Sequence, residues 1–258
     1  MNIDLVTTPS TLFLALLGGI LPTTLWLWFW LKEDRLHPEP RGLIILSFMV
    51  GMLATLFAFP LEKYLAEHLP VANTFSPLLL FSWAVVEETL KFVGIYLVAL
   101  RTKYFDEPID AVIYLVTIAL GFAALENAMF LFSPLGSGDA FATITLSNFR
   151  FIGATLLHVA ASGLIGVALA FTFYHSKTRR LIAALAALIL AFILHTLFNF
   201  SIIASEGDLL YAVLIGLWIF IIGILFLCEK IKRLAPRSHI EYPHTGIIIA
   251  IPPHSRST

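Results

Sequence analysis

The stretch SPLLLFSWAVVEETLKFVGIYLVAL, residues 76–100, decides the fold. It is 25 residues long, and its only formal charges are Glu87, Glu88 and Lys91. An apolar run of about 20 residues covers a hydrocarbon core of roughly 30 Å. The stretch is therefore a membrane-spanning helix with two acids and a lysine inside it, and six further stretches resemble it in length: 11–31, 42–61, 109–132, 148–174, 180–203 and 209–228. The composition agrees, with 59% hydrophobic residues and 13% charged ones. A soluble domain carries about 25% charged residues. This balance excludes a disordered chain and a nucleic-acid binder. The continuous runs exclude a transmembrane β-barrel, which needs short alternating strands. The single cysteine, Cys228, excludes an intrachain disulfide and a cysteine zinc site.

The expected fold is an all-α polytopic bundle of seven transmembrane helices in the cell membrane. One helical domain, 1–228, precedes a tail, 229–258. The first span has no basic leader and ends in Trp26, Trp28 and Trp30, so it reads as an anchored helix and not a cleaved signal. The connecting segments sort by charge. Segments 32–41, 101–108 and 175–180 and the tail together hold 13 of the 16 Lys and Arg residues, against Lys63 and Arg150 on the other side. By the positive-inside rule the N-terminus lies outside and the C-terminus in the cytoplasm. Arg150 reads as a snorkelling interface residue. The apolar run Gly246–Pro252 in the tail is too short to cross and carries no functional reading.

Ionisable groups within a bilayer cost about 2.5–3.5 kcal/mol each on insertion scales and survive where they meet partners. Besides Glu87, Glu88 and Lys91, the spans contain Glu126 and Asn127, His158, and His195 with Asn199. At 1.5 Å per residue, Glu87, Glu126, His158 and His195 lie about 20–25 Å from the same membrane face. Four helices thus place polar groups in one layer. His195 and Asn199 share a helix face, as do Glu87 and Lys91, while Glu88 stands about 100° round from Glu87. Phe122 precedes Glu126 by one turn and can wall a cavity. Singly, each group reads as easily as interhelical glue. Jointly they form a candidate catalytic centre.

The groups suit water activation by a carboxylate, with an imidazole and an amide facing the oxyanion. There is no Ser/His/Asp set, and Cys228 sits at a span end. A divalent metal with Glu and His ligands is the alternative. No HExxH spacing is present.

Glu87-Glu88-x-x-Lys91 resembles the EExxK motif of the PrsW family of intramembrane proteases. Phe122-x-x-x-Glu126-Asn127 resembles its FxxxEN motif, and His158 and His195 match its later histidine-bearing helices. Asp34 with Pro38-Glu39-Pro40, and Glu107-Pro108-Ile109-Asp110 before span four, resemble its loops. The family is related to the CAAX prenyl and Abi-type membrane proteases. The resemblance implies an endopeptidase acting on single-span membrane proteins, such as anti-sigma factors, within the lipid bilayer. By analogy Glu87 is the general base, Glu88 and Lys91 set its charge state and orientation, Glu126 and His158 help hold the water or a metal, and His195 and Asn199 bind the oxyanion, with Asn127 a further candidate catalytic residue. The expectation is a glutamic-type protease without cofactor. Its zinc-dependent version would use Glu87, His158 and His195 as ligands. A non-catalytic scaffold subunit and an ion-coupled carrier are the competing classes, the carrier weakened by the absence of an internal repeat.

Overall fold

The computed structural model describes residues 8–35, 37–70, 76–204 and 209–234, with no account of the side chains of 203 and 204. The helices among them are α1 (Pro9–Trp30), α2 (Arg41–His68), α3 (Pro77–Val98), α4 (Asp110–Gly136), α5 (Ala140–Phe149), α6 (Thr155–Phe171), α7 (Lys177–Ala204) and α8 (Leu210–Ile231). A 3-10 turn, Leu31–Asp34, extends α1, and a π-helical segment, Arg150–Ala154, joins α5 to α6. The chain is an all-α, multi-pass membrane protein. Among the described residues, six helical rods are long and apolar enough to cross a bilayer. The exception among the long helices is α3, 22 residues, whose middle holds Glu87, Glu88 and Lys91.

Two boundaries differ from the sequence reading. The second span continues through Pro60 to His68, which takes Glu62 out of a loop and puts it on a helix. The fifth begins earlier, because α5, the π segment and α6 form one rod over residues 140–171. The tail beyond residue 234, with its Gly246–Pro252 run, lies outside the described residues.

Burial separates an inner from an outer layer. The most apolar window of α4 is 72% buried and that of the α5–α6 rod 78%, against 17% for α1 and 22% for α8. Side chains such as Phe13, Trp28, Phe57, Ile219 and Phe226 on the outer helices stay exposed, as suits contact with lipid.

Between membrane helices the apolar effect gives no net drive, so close packing decides which faces meet. Here small residues let backbones touch. A Cβ on Gly51 of α2 would lie 2.1 Å from the Ile118 carbonyl oxygen of α4, and one on Gly121 of α4 would lie 2.0 Å from that of Phe48. On a neighbouring face of α4, a Cβ on Gly19 of α1 would lie 2.1 Å from the Ala124 carbonyl oxygen. Thr55 adds a hydrogen bond from its Oγ1 to the Phe122 carbonyl, 3.0 Å. α6 closes on α4, α7 and α8, and α3 sits between α2 and α7. The centre of the bundle is therefore reached by the inner faces of α3, α4, α6 and α7.

Gly51→Ala should force α2 from α4, lowering the thermal midpoint in detergent by several degrees, as overpacking costs about 1–3 kcal/mol. Gly216→Ala, which meets nothing within 4 Å, is the control and should leave the midpoint unchanged. Equal midpoints for the two variants would refute this account of the packing.

Candidate metal centre

Glu88 is fully buried at mid-helix in α3. Its Oε1 accepts from Lys91 Nζ at 2.5 Å and stands 2.8 Å from His195 Nδ1 on α7. The carboxylate accepts, so Nδ1 carries the proton and Nε2 presents its lone pair. That Nε2 lies 3.8 Å from Glu87 Oε2.

His158 on α6 is arranged in the same way from the other side. Its Nε2 stands 2.9 Å from Glu126 Oε2, which makes Nε2 the donor and frees the Nδ1 lone pair. Nδ1 lies 3.9 Å from Glu87 Oε2 and also accepts from Lys91 Nζ at 2.9 Å. The Phe122 ring packs against the His158 ring, centroids 5.3 Å apart, and lies under Lys91 Nζ at 4.6 Å.

Glu87, His158 and His195 thus each turn one donor atom inward, and the three atoms lie within 4.8 Å of one another. Glu87 Oε2 is buried with no hydrogen-bond partner. Donors about 2.0–2.1 Å from a tetrahedral zinc stand roughly 3.3 Å apart, so a small contraction would seat the ion. In both imidazoles the outward nitrogen is held by a carboxylate, the arrangement that fixes tautomer and ring direction in histidine metal sites. Lys91 stands beside the inward triangle and would swing back to Glu88 to leave the His158 lone pair free.

These contacts overturn the expected cofactor-free glutamate mechanism. That expectation rested on the lack of a zinc spacing along the chain. The ligands come from α3, α6 and α7, so no local spacing is required. Glu87 is better placed as a ligand than as a free general base, and His195, with Nδ1 on Glu88 and Nε2 facing Glu87, has no nitrogen left for an oxyanion. The alternative ligand set, Glu87, His158 and His195, is the one that converges.

The remaining residues fall around this core. Glu126 Oε2 also accepts from Arg150 Nη2 at 2.6 Å. Asn127 donates to Thr155 Oγ1 at 3.0 Å and accepts from Arg150 Nε at 2.6 Å, which ties α4 to the start of α6. Asn199, one turn along α7 from His195, is half-buried and makes no hydrogen bond with the cluster. Arg150 does not snorkel. It reaches inward from the π-helical segment, with its guanidinium 3.9 Å from the centroid of Phe130. π segments break helical register and aim side chains that regular helices cannot.

Sequence reasoning missed a second residue, Glu62 on α2. Its carboxyl lies beside that of Glu87, and its backbone carbonyl accepts from Trp83 Nε1 at 3.1 Å. The signal is its place two residues beyond Pro60, on a helix that the apolar count ends too early.

The model of a family described as PrsW family intramembrane metalloprotease matches residues 39–227. Similar proteins are named Protease PrsW. The one from Geobacillus kaustophilus is 27% identical over 212 residues, covering 80% of this chain and 88% of its own. That from Bacillus subtilis is 27% identical over 217 residues, covering 81% and 93%. That from Clostridioides difficile is 28% identical over 177 residues, covering 67% and 72%. No solved structure matches the chain.

Glu88→Ala strands the Lys91 ammonium in the bundle and should cost about 3–5 kcal/mol, read as loss of folded protein in detergent. Pairing Glu88→Gln with Lys91→Met should recover most of that stability, since no buried charge is left alone. A double variant as unstable as Glu88→Ala would contradict the pairing.

Proposed function

This chain belongs to the PrsW family of intramembrane metalloproteases, and on that footing we propose that it is a zinc-dependent endopeptidase cutting membrane-anchored proteins inside the bilayer. The observation that carries the reading is the convergence of one donor atom each from Glu87, His158 and His195, backed by carboxylates on both outer imidazole nitrogens. Zinc held there would supply a Lewis acid that polarises a peptide carbonyl and acidifies water.

The chain's own residues have separable tasks. Glu88 holds His195 and Lys91, and Glu126 holds His158 while Arg150 balances its charge. Lys91 sets a positive charge beside the triangle, where negative charge develops as a carbonyl is attacked. Phe122 walls the imidazole of His158 from bulk water. Asn127 and Thr155 keep the α4–α6 junction in register. A groove of about 230 Å³ between α7 and α8, lined by Leu194, Leu197, Phe198, Leu217 and Phe220, suits an apolar substrate segment. A single-span membrane protein is the substrate class that such a lipid-level site accepts.

The finer topology belongs to the same proposal. α3 also crosses, which makes seven spans, with Glu88 and Lys91 paired and Glu87 turned to the metal site. The helical domain runs to about residue 228, and the tail lies in the cytoplasm with the basic segments.

Purified protein should cleave a membrane peptide, lose that activity to a strong zinc chelator and regain it on zinc addition. His158→Ala and His195→Ala should each weaken zinc affinity and lower cleavage by more than about 100-fold, ligand loss exceeding the 10–100-fold of outer-shell changes. Undiminished cleavage with no metal bound would reject the reading. For topology, Cys228→Ser carrying Thr8→Cys should label with a membrane-impermeant thiol reagent on intact cells. The same background carrying Lys232→Cys should label only after permeabilisation. The reverse pattern would invert the proposed orientation.

A further inference from the structure

A second group of acids collects where α1 ends and α4 begins. Asp34 closes the 3-10 turn after α1, Glu39 lies between Pro38 and Pro40 before α2, and Glu107 and Asp110 stand at the entry to α4. Donor atoms of Asp34, Glu107 and Asp110 lie within 4.8 Å of one another. Asp110 is 16 residues from Glu126 on α4, about 24 Å along the helix, so this cluster is separate from the metal centre.

The acids are incompletely matched. Asp34 is 4% exposed, and its Oδ2 has no hydrogen-bond partner. Asp110 Oδ2 accepts from the backbone N–H groups of Asp106, at 3.0 Å, and Glu107, at 2.6 Å. Glu39 Oε2 accepts from the Tyr114 hydroxyl, and its carboxyl also meets that of Asp110. Nearby Lys232 is committed to acids outside the cluster, whereas His37 contacts Glu107 within it. Lys232 Nζ binds Glu33 at 2.6 Å and Glu229 at 2.7 Å, and His37 Nδ1 lies 2.8 Å from Glu107 Oε1. Among the described residues no lysine or arginine forms an ion pair with Asp34, Glu39 or Asp110.

We propose that Asp34, Glu107 and Asp110, with Glu39 beside them, form a second cation site that takes a hard divalent ion. An all-oxygen donor set selects calcium or magnesium over zinc. Calcium–oxygen distances of about 2.3–2.6 Å place opposite donors up to roughly 5 Å apart, which suits the observed spread. The unpartnered Asp34 oxygen, buried among the other acids, is the position that an ion would satisfy. Bound there, the ion clasps the α1–α2 connection to the start of α4, the helix that also carries Glu126.

The test uses the full-length protein in detergent, stripped of divalent ions on a chelating resin. Terbium should bind saturably with emission sensitised by Tyr114, and CaCl2 should displace it. Millimolar CaCl2 should raise the thermal midpoint by about 5 °C, as expected of a ligand well above its Kd. Asp34→Asn and Glu107→Gln should each weaken terbium and calcium binding at least tenfold. Should Asp34→Asn fail to fold, the half-buried loop residue Glu107 decides alone. Glu87→Gln, which alters the other centre, should leave the calcium response intact, so this site stands or falls independently of the protease reading. Absence of saturable terbium binding, or unchanged affinity in Glu107→Gln, overturns the proposal. So does a midpoint insensitive to CaCl2 and MgCl2, which would mean that shared protons alone hold these acids together.

Discussion

The Glu88 carboxylate cannot be left alone in the middle of a membrane helix, and the way it is matched organises the rest of the molecule. A buried anion costs several kcal/mol unless partners surround it. Lys91, one turn away on the same helix, supplies the charge, and His195 supplies a second donor from α7. Satisfying Glu88 therefore does two things. It docks α3 against α7, and it turns the imidazole of His195 so that its free nitrogen faces Glu87.

Glu126 repeats the device on the far side. Arg150 balances it, and its remaining contact rotates His158 until Nδ1 faces the same Glu87 oxygen. The two outer acids thus act through the histidines that they orient. The architecture gives them a rigid frame, because glycine contacts lock α4 against α1 and α2 with almost no space to spare. The same helix begins at the second acidic cluster. One inner rod therefore passes from an oxygen-rich pocket at one end to the nitrogen-and-carboxylate centre about 24 Å away.

Much of this was legible in the chain. Apolar runs located the long helices, and polar residues within them pointed to one depth, where Glu87, Glu126, His158 and His195 are found together. Two kinds of feature were not legible. In the sequence Arg150 reads as an interface residue because it lies near the outer end of its span; the π-helical register and the charge of Glu126 turn it inward. The metal set was discounted because a spacing rule sees ligands on one helix, whereas these donors meet across three. Glu62 is lost for a simpler reason: the apolar count stops at Leu61, but the helix runs on to His68 and meets Trp83 of α3 through the Glu62 carbonyl. In each case the missing term was tertiary, the partner on another helix.

The central claim is that two imidazoles and one carboxylate from separate helices converge on one metal ion. X-ray absorption at the zinc edge of purified, zinc-loaded protein tests it most directly. The account predicts a shell of light ligands at about 2.0–2.1 Å with multiple scattering from two imidazoles, falling to one in His195→Ala. A spectrum with no histidine scattering, or one unchanged in that variant, would contradict it.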